Sequence, residues 1–228
     1  MPKIKSKEEM SNKIVLLHGL GRASLSMVYL AKRLAMAGYS PCNIQYPSRK
    51  YSVEKLAADF VFPAIEKCFG SGDDPVHFVT HSLGGIVVRQ LAASNAQIKY
   101  GRVVMLAPPN GGSEVVDALS HWPLFGAVNG PAVKELGTSE YDLPRSFGPA
   151  PLEVGIIAGN RSINPLLSRM IEGENDGRVS IGNAKMEGMA DFLVLPVSHP
   201  FIMMNRRVAE QTVYFLEHGA FQKSPVAP

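Results

Sequence analysis

At 75–88 a strand-forming run, Pro75-Val76-His77-Phe78-Val79-Thr80-His81, passes without a linker into a helix-forming run, Leu83-Gly84-Gly85-Ile86-Val87-Val88. Ser82 stands at the corner. A corner this sharp requires strand and helix to pack closely, and the small residues Gly84 and Gly85 permit that approach. It also requires a strained backbone at Ser82 and leaves the Ser82 Oγ at the carboxyl edge of a sheet, beside a helix amino end. Unpaired N–H groups and the helix dipole favour negative charge there, as an acyl-transfer nucleophile needs. The pattern departs from Gly-x-Ser-x-Gly at one place, where Thr80 occupies the first glycine position.

The rest of the chain alternates in the same manner. Strand-like runs at 13–17, 41–46, 75–79, 102–106, 154–158 and 191–195 are separated by helix-period segments at 24–37, 52–68, 84–93 and 201–218. Pro63 is expected to kink the second helix or end it early. Such alternation implies an α/β fold with a mainly parallel central sheet and helices on both faces. One stretch, 107–151, interrupts it with clustered prolines and glycines, which argues against core elements there. It carries Trp122, Leu124, Phe125 and Val128 and reads either as a lid or pocket wall or as a structural excursion packed on the body. The expected organisation is an amino-terminal tail at 1–12, one domain at 13–219 with the 107–151 insertion, and a carboxyl-terminal tail at 220–228.

Composition narrows the function. A chain of 228 residues, 46% hydrophobic and 19% charged, folds around a sizeable core. Its net charge of +3, with no long basic stripe, gives no basis for a nucleic-acid partner. Lys3, Lys5, Lys7 and Lys13 read as a solvated tail. Cys42 and Cys68 form no metal or disulfide framework, and their spacing leaves open whether they pair. The apolar run Ile14-Val15-Leu16-Leu17 is cut by His18-Gly19, so no secretory signal is read, and no run reaches membrane-span length. The expectation is a cytoplasmic protein with at most peripheral membrane contact; oligomeric state is left open.

A nucleophilic serine needs a base, an acid and oxyanion donors. Of six histidines, His77 lies within a strand, His81 adjoins Ser82, His121 sits in the insertion, and His218 ends a helix. His199, in the loop after the last strand, suits the base. His18 reads better as a packed or turn-stabilising residue. The acid should lie between Ser82 and His199, with Glu172, Glu174, Asp176, Glu187 and Asp191 as candidates. Asp191 starts a strand and points from the wrong edge of the sheet. Asp176, before Gly177, is preferred, with Glu174 as fallback; plain turn chemistry is the competing reading of Asp-Gly. Glycines flank Leu20 in His18-Gly19-Leu20-Gly21, so its N–H can turn into the site, and Leu20 and Leu83 become the oxyanion pair.

Together His18-Gly19-Leu20, His81-Ser82-Leu83-Gly84-Gly85, Asp176-Gly177-Arg178-Val179 and the late His199 resemble the α/β-hydrolase superfamily, in particular its small bacterial lipases and esterases. Pro109-Asn110-Gly111-Gly112-Ser113 is similar to a loop of those lipases, and the resemblance spans about residues 13–218. It implies the α/β-hydrolase fold and a serine hydrolase cleaving carboxylic esters through an acyl-enzyme on Ser82, with Asp176 and His199 completing the triad. The partner is then a small acyl ester or lipid, with no metal or cofactor. The apolar 114–148 stretch implies an acyl-binding wall, with Trp122, Leu124 and Phe125 as its candidates and medium or long acyl chains in view. Alternatives are a thioesterase, amidase or acyltransferase using the same triad, and a non-catalytic relative that binds a ligand or protein.

Overall fold

A computed structural model describes residues 11–70, 72–94, 97–149 and 151–223. Most of the two expected tails therefore lies outside the described residues. Six strands form a single sheet: β1 (Lys13–Leu17), β2 (Ser40–Ile44), β3 (Val76–His81), β4 (Tyr100–Leu106), β5 (Val154–Gly159) and β6 (Asp191–Leu195). Their order is β2-β1-β3-β4-β5-β6, and all pairings are parallel.

The two-residue side-chain period of a strand sorts the core into two layers. Ile14 and Leu16 of β1, Val79 of β3 and Val104 of β4 face α1 (Val28–Met36) and α10 (Arg206–His218), where they meet Leu30, Leu34, Val208 and Phe215. Val15, Leu17, Phe78, Val103 and Met105 face the opposite layer, which contains α4 (Leu83–Ala93). Each of these side chains is fully buried, a contribution of about 1.5–3 kcal/mol apiece before entropy is counted.

Three helical expectations change in detail. The segment 24–37 opens with a 3₁₀ turn at Ser24–Met27 before α1 begins. The segment 52–68 continues through Pro63: α2 (Val53–Lys55) passes into a π-helical run at Leu56–Val61 and then α3 (Phe62–Phe69). A proline lacks an N–H and collides with the carbonyl four residues back, and the wider π turns directly before Pro63 make room for it. The closing helix is preceded by a 3₁₀ turn at Ile202–Met204 and starts afresh at Arg206, where the Asn205 side chain accepts from the Val208 N–H.

The 107–151 insertion contains more structure than its turn residues suggested. It holds α5 (Glu114–Leu119), α6 (Pro123–Asn129), a 3₁₀ turn at Pro131–Glu135, and α7 (Leu143–Ser146). The prolines stand in the first turns of the last three, where the missing N–H is no loss, so they start helices rather than exclude them. Ala132, Val133 and Leu136 are buried in the main core. Two short helices between β5 and β6, α8 (Pro165–Ser168) and α9 (Ile181–Ala184), were not foreseen.

Cys42 of β2 and Cys68 of α3 are joined by a disulfide, their Cα atoms 6.3 Å apart. Within the expected carboxyl-terminal tail, Phe221 and Gln222 dock on the body, the Gln222 N–H donating to Gln211 Oε1 at 2.9 Å. Phe221 packs against Phe215 with ring centroids 5.0 Å apart, and its N–H donates to Asp191 Oδ2 at 2.8 Å. No described helix is long and apolar enough to cross a membrane.

Candidate active site

The chain runs from β1 outward to β2, then returns to place β3 on the other side of β1. Loops leaving β1 and β3 therefore diverge, and a crevice opens at their carboxyl ends. Ser82 follows β3 and Leu20 follows β1, so both border that crevice. Ser82 is half-buried, with φ 52° and ψ −121°, the strained corner expected from the sequence. The reason for Gly84 is steric: a Cβ there would lie 2.7 Å from the Leu17 carbonyl oxygen. Gly19 is tight for a related reason, since its Cβ would lie 2.8 Å from His81 Nδ1 and 3.2 Å from Ser82 Cβ. The β1 loop thus lies against the serine. Leu83 is the first residue of α4, where an N–H has no partner within the helix, and it stays available beside Ser82.

His199 Nε2 lies 3.1 Å from Ser82 Oγ, and His199 Nδ1 lies 2.7 Å from Asp176 Oδ2. Asp176 is almost fully buried. Its other oxygen, Oδ1, accepts from the Arg178 N–H at 3.0 Å and the Val179 N–H at 2.9 Å, so the carboxylate is fixed in rotation. The Asp176 carbonyl accepts from the His199 N–H at 3.1 Å. The Asp-Gly turn, the competing reading of this residue, is present, and it aims the carboxylate at His199. Glu174 is exposed; the structure puts Asp176, not Glu174, against His199.

The remaining histidines occupy other roles. His18 is buried and stacked on Tyr46 with centroids 4.2 Å apart; its Nδ1–H donates to the Gly19 carbonyl at 2.9 Å and its Nε2 accepts from the Tyr46 N–H at 3.4 Å. The Tyr46 hydroxyl donates to the His18 carbonyl. His77 Nδ1 accepts from the Arg102 N–H at 2.8 Å. His121 and His218 are exposed.

Two positioning residues were not singled out from the sequence. His81 reaches under the β1 loop and donates from Nε2 to the His199 carbonyl at 3.1 Å, leaving its Nδ1 buried without a hydrogen-bond partner. Ser113 Oγ donates to the Arg178 carbonyl at 3.0 Å and so ties the insertion to the acid loop. The Pro109–Ser113 loop was the available signal for Ser113; for His81 there was only its place beside Ser82.

Burial lowers the pKa of His18, His77 and His81, and for His81 the nearby His199 adds to the effect. Each therefore stays neutral to a lower pH in the folded chain than in the unfolded chain, which takes up protons at the ordinary histidine pKa. Their stabilisation is therefore complete above about pH 6.5 and is lost as pH falls below it. Each proton taken up only on unfolding contributes a slope of about 1.4 kcal/mol per pH unit. Calorimetry is expected to show a steady Tm above neutrality and a decline between about pH 6.5 and 5, before carboxylates titrate in the unfolded chain. A Tm that stays level across that interval would show that these rings protonate freely in the native state.

Above Ser82 and His199 is a cavity of about 170 Å³ whose apolar wall includes Val115, Val116, Leu119, Phe125, Val133 and Leu136. Of the three residues expected in an acyl-binding wall, Phe125 lines this cavity and Trp122 and Leu124 do not. They are 67% and 75% exposed and lie outside the cavity. Phe125 and Asn129, four residues apart on α6, form its inner face, and positions 122 and 124 consequently point away. Among the described residues, no group of three His, Cys, Asp or Glu side chains is arranged to hold a metal.

A parallel α/β sheet with a serine elbow at its switch point defines a hydrolase architecture. The family model described as Alpha/beta hydrolase family matches residues 14–208, and the chain belongs to that family. Among solved structures it is similar in fold to a mature lipase of Bacillus licheniformis, with a TM-score of 0.68 at 22% identity over 94% of this chain and 95% of that one. It is also similar to a phospholipase of Legionella pneumophila, with a TM-score of 0.71 at 17% identity over 91% of this chain and 60% of that one. A metagenomic carboxyl esterase gives 0.66 at 19% identity over 88% of this chain and 68% of that one. No curated protein matches the sequence.

Proposed function

We propose that the protein is a serine hydrolase that cleaves carboxylic esters through an acyl-enzyme on Ser82. The observation that carries this reading is the hydrogen-bonded line from Ser82 through His199 to the buried Asp176, at the floor of an apolar cavity. Ser82 Oγ attacks the acyl carbon while His199 Nε2 takes its proton. The Leu20 and Leu83 N–H groups receive the developing oxyanion. His199 then gives the proton to the leaving alcohol, the ester C–O bond breaks, and Ser82 is left acylated. Water, activated by His199, attacks the acyl carbon and releases the carboxylic acid and free serine. Asp176 holds the imidazole so that Nε2 faces the serine, and it stabilises the imidazolium.

The cavity volume argues for short acyl chains rather than the medium or long ones suggested by composition. About 170 Å³ is close to the size of an apolar cavity that accommodates one benzene ring. Hydrolysis of a p-nitrophenyl ester series from acetate to palmitate is therefore expected to peak near butanoate to hexanoate, with palmitate at least about tenfold slower in kcat/KM. An optimum at palmitate would mean that the acyl chain lies elsewhere. Matched thioester and amide substrates in the same assay separate the ester reading from a thioesterase or amidase.

A further inference from the structure

Three guanidiniums from three separate loops lie near one another, and one of them lines the cavity. Arg178, directly after the acid loop's Asp176-Gly177, lines the cavity together with Ser82 and His199. Arg22, in the loop after β1, donates from Nη2 to the Pro200 carbonyl at 3.2 Å, one residue past His199. Arg49, in the loop after β2, lies over Gly21, where a Cβ would come within 2.5 Å of its Nη2. The loops bearing Arg22 and Arg49 are joined by the Gly21 N–H, which donates to Ser48 Oγ at 3.0 Å. All three arginines are exposed to solvent, and among the described residues none of them is in an ion pair with a carboxylate. Asp176 stands two positions before Arg178, but its oxygens are engaged by His199 and two backbone N–H groups. Partial desolvation lowers the Arg178 pKa, repulsion from Arg22 and, more weakly, from Arg49 adds to this, and Asp176 acts in the opposite direction.

A net charge of only +3 over the whole chain makes this local excess of cations informative. Like charges held together without a counter-charge favour an anion between them, and guanidinium forks match phosphate oxygens in pairs. The side of the substrate follows from the geometry. The apolar wall takes the acyl chain, while Arg22 adjoins the segment of His199, the group that protonates the leaving alcohol. We propose that the substrate's alcohol carries a phosphate, held by Arg22, Arg49 and Arg178 while the ester bond is cleaved. This rests on the ester-hydrolase reading above and specifies its substrate class.

The test compares 1-butanoylglycerol with 1-butanoylglycerol 3-phosphate, both as monomers in solution. The phosphate ester is expected to have a kcat/KM at least about tenfold higher, a preference that shrinks as salt is raised. Arg178→Gln, Arg22→Gln and Arg49→Gln are each expected to lower the phosphate-to-neutral ratio severalfold, whereas Arg33→Gln on α1 leaves the ratio as it was. Calorimetric binding of both esters to Ser82→Ala reads the same preference without turnover. A ratio near one in wild type, or one indifferent to the three substitutions, overturns the proposal. So does a gain seen only when a neutral ester is presented on vesicles containing phosphatidic acid, since the arginines would then read a lipid surface and not the substrate. Hydrolysis of the neutral ester without phosphate preference leaves the ester-hydrolase reading standing and removes only this one. Failure of both esters to turn over, with phosphate-selective binding to Ser82→Ala retained, removes the ester-hydrolase reading and leaves only the phosphate-binding site.

Discussion

Ser82→Ala is expected to lower kcat on p-nitrophenyl butanoate by about 10⁴–10⁶-fold and to abolish labelling by a fluorophosphonate. Only the Oγ is removed, and no described helix or strand depends on it for a hydrogen bond; its contact is with His199 Nε2. The fold should therefore persist, with an unchanged circular dichroism spectrum and a Tm close to wild type. Retention of more than about a tenth of the turnover would remove Ser82 from the role of nucleophile. Wild type that is inert on every ester and unlabelled by the fluorophosphonate would favour a binding role for the chain.

Asp176→Asn is expected to cost about 10⁴-fold in kcat with little change in KM. The reason is specific to this loop. Oδ1 of Asp176 accepts from two backbone N–H groups, so an asparagine would keep its carbonyl oxygen there. Its NH₂ would then face His199 Nδ1 and force that nitrogen to accept. The proton would sit on Nε2, facing Ser82, in the tautomer that cannot act as a base. A loss below about tenfold would show that Asp176 mainly shapes the turn.

Much of this site was legible in the sequence because its parts are set by local backbone chemistry. A serine elbow needs small residues directly behind it, as at Gly84, whose Cβ would strike the Leu17 carbonyl. Asp176 before a glycine folds back on its own backbone through Arg178 and Val179. The strands were readable because their apolar residues are buried on both faces of the sheet. The insertion was misread where local rules are ambiguous: proline both breaks helices and begins them, and only packing of Ala132, Val133 and Leu136 into the core decides for the second. The cytoplasmic expectation rested on reading neither a secretory signal nor a run of membrane-span length. The Cys42–Cys68 bond does not favour it, because reducing compartments keep such thiols open.

By itself, then, the sequence determined the alternating α/β plan, the elbow at Ser82 and the turn at Asp176, all of which depend on residues a few positions apart. Tertiary structure alone decided that His81 braces the His199 carbonyl across 118 positions of chain, and that Trp122 and Leu124 face outward while Phe125 faces the cavity. It likewise decided that Arg22 and Arg49 come near enough to Arg178 for their charges to act on it. Side-chain direction on a short helix and encounters between distant loops depend on how whole layers pack, and no local pattern encodes them.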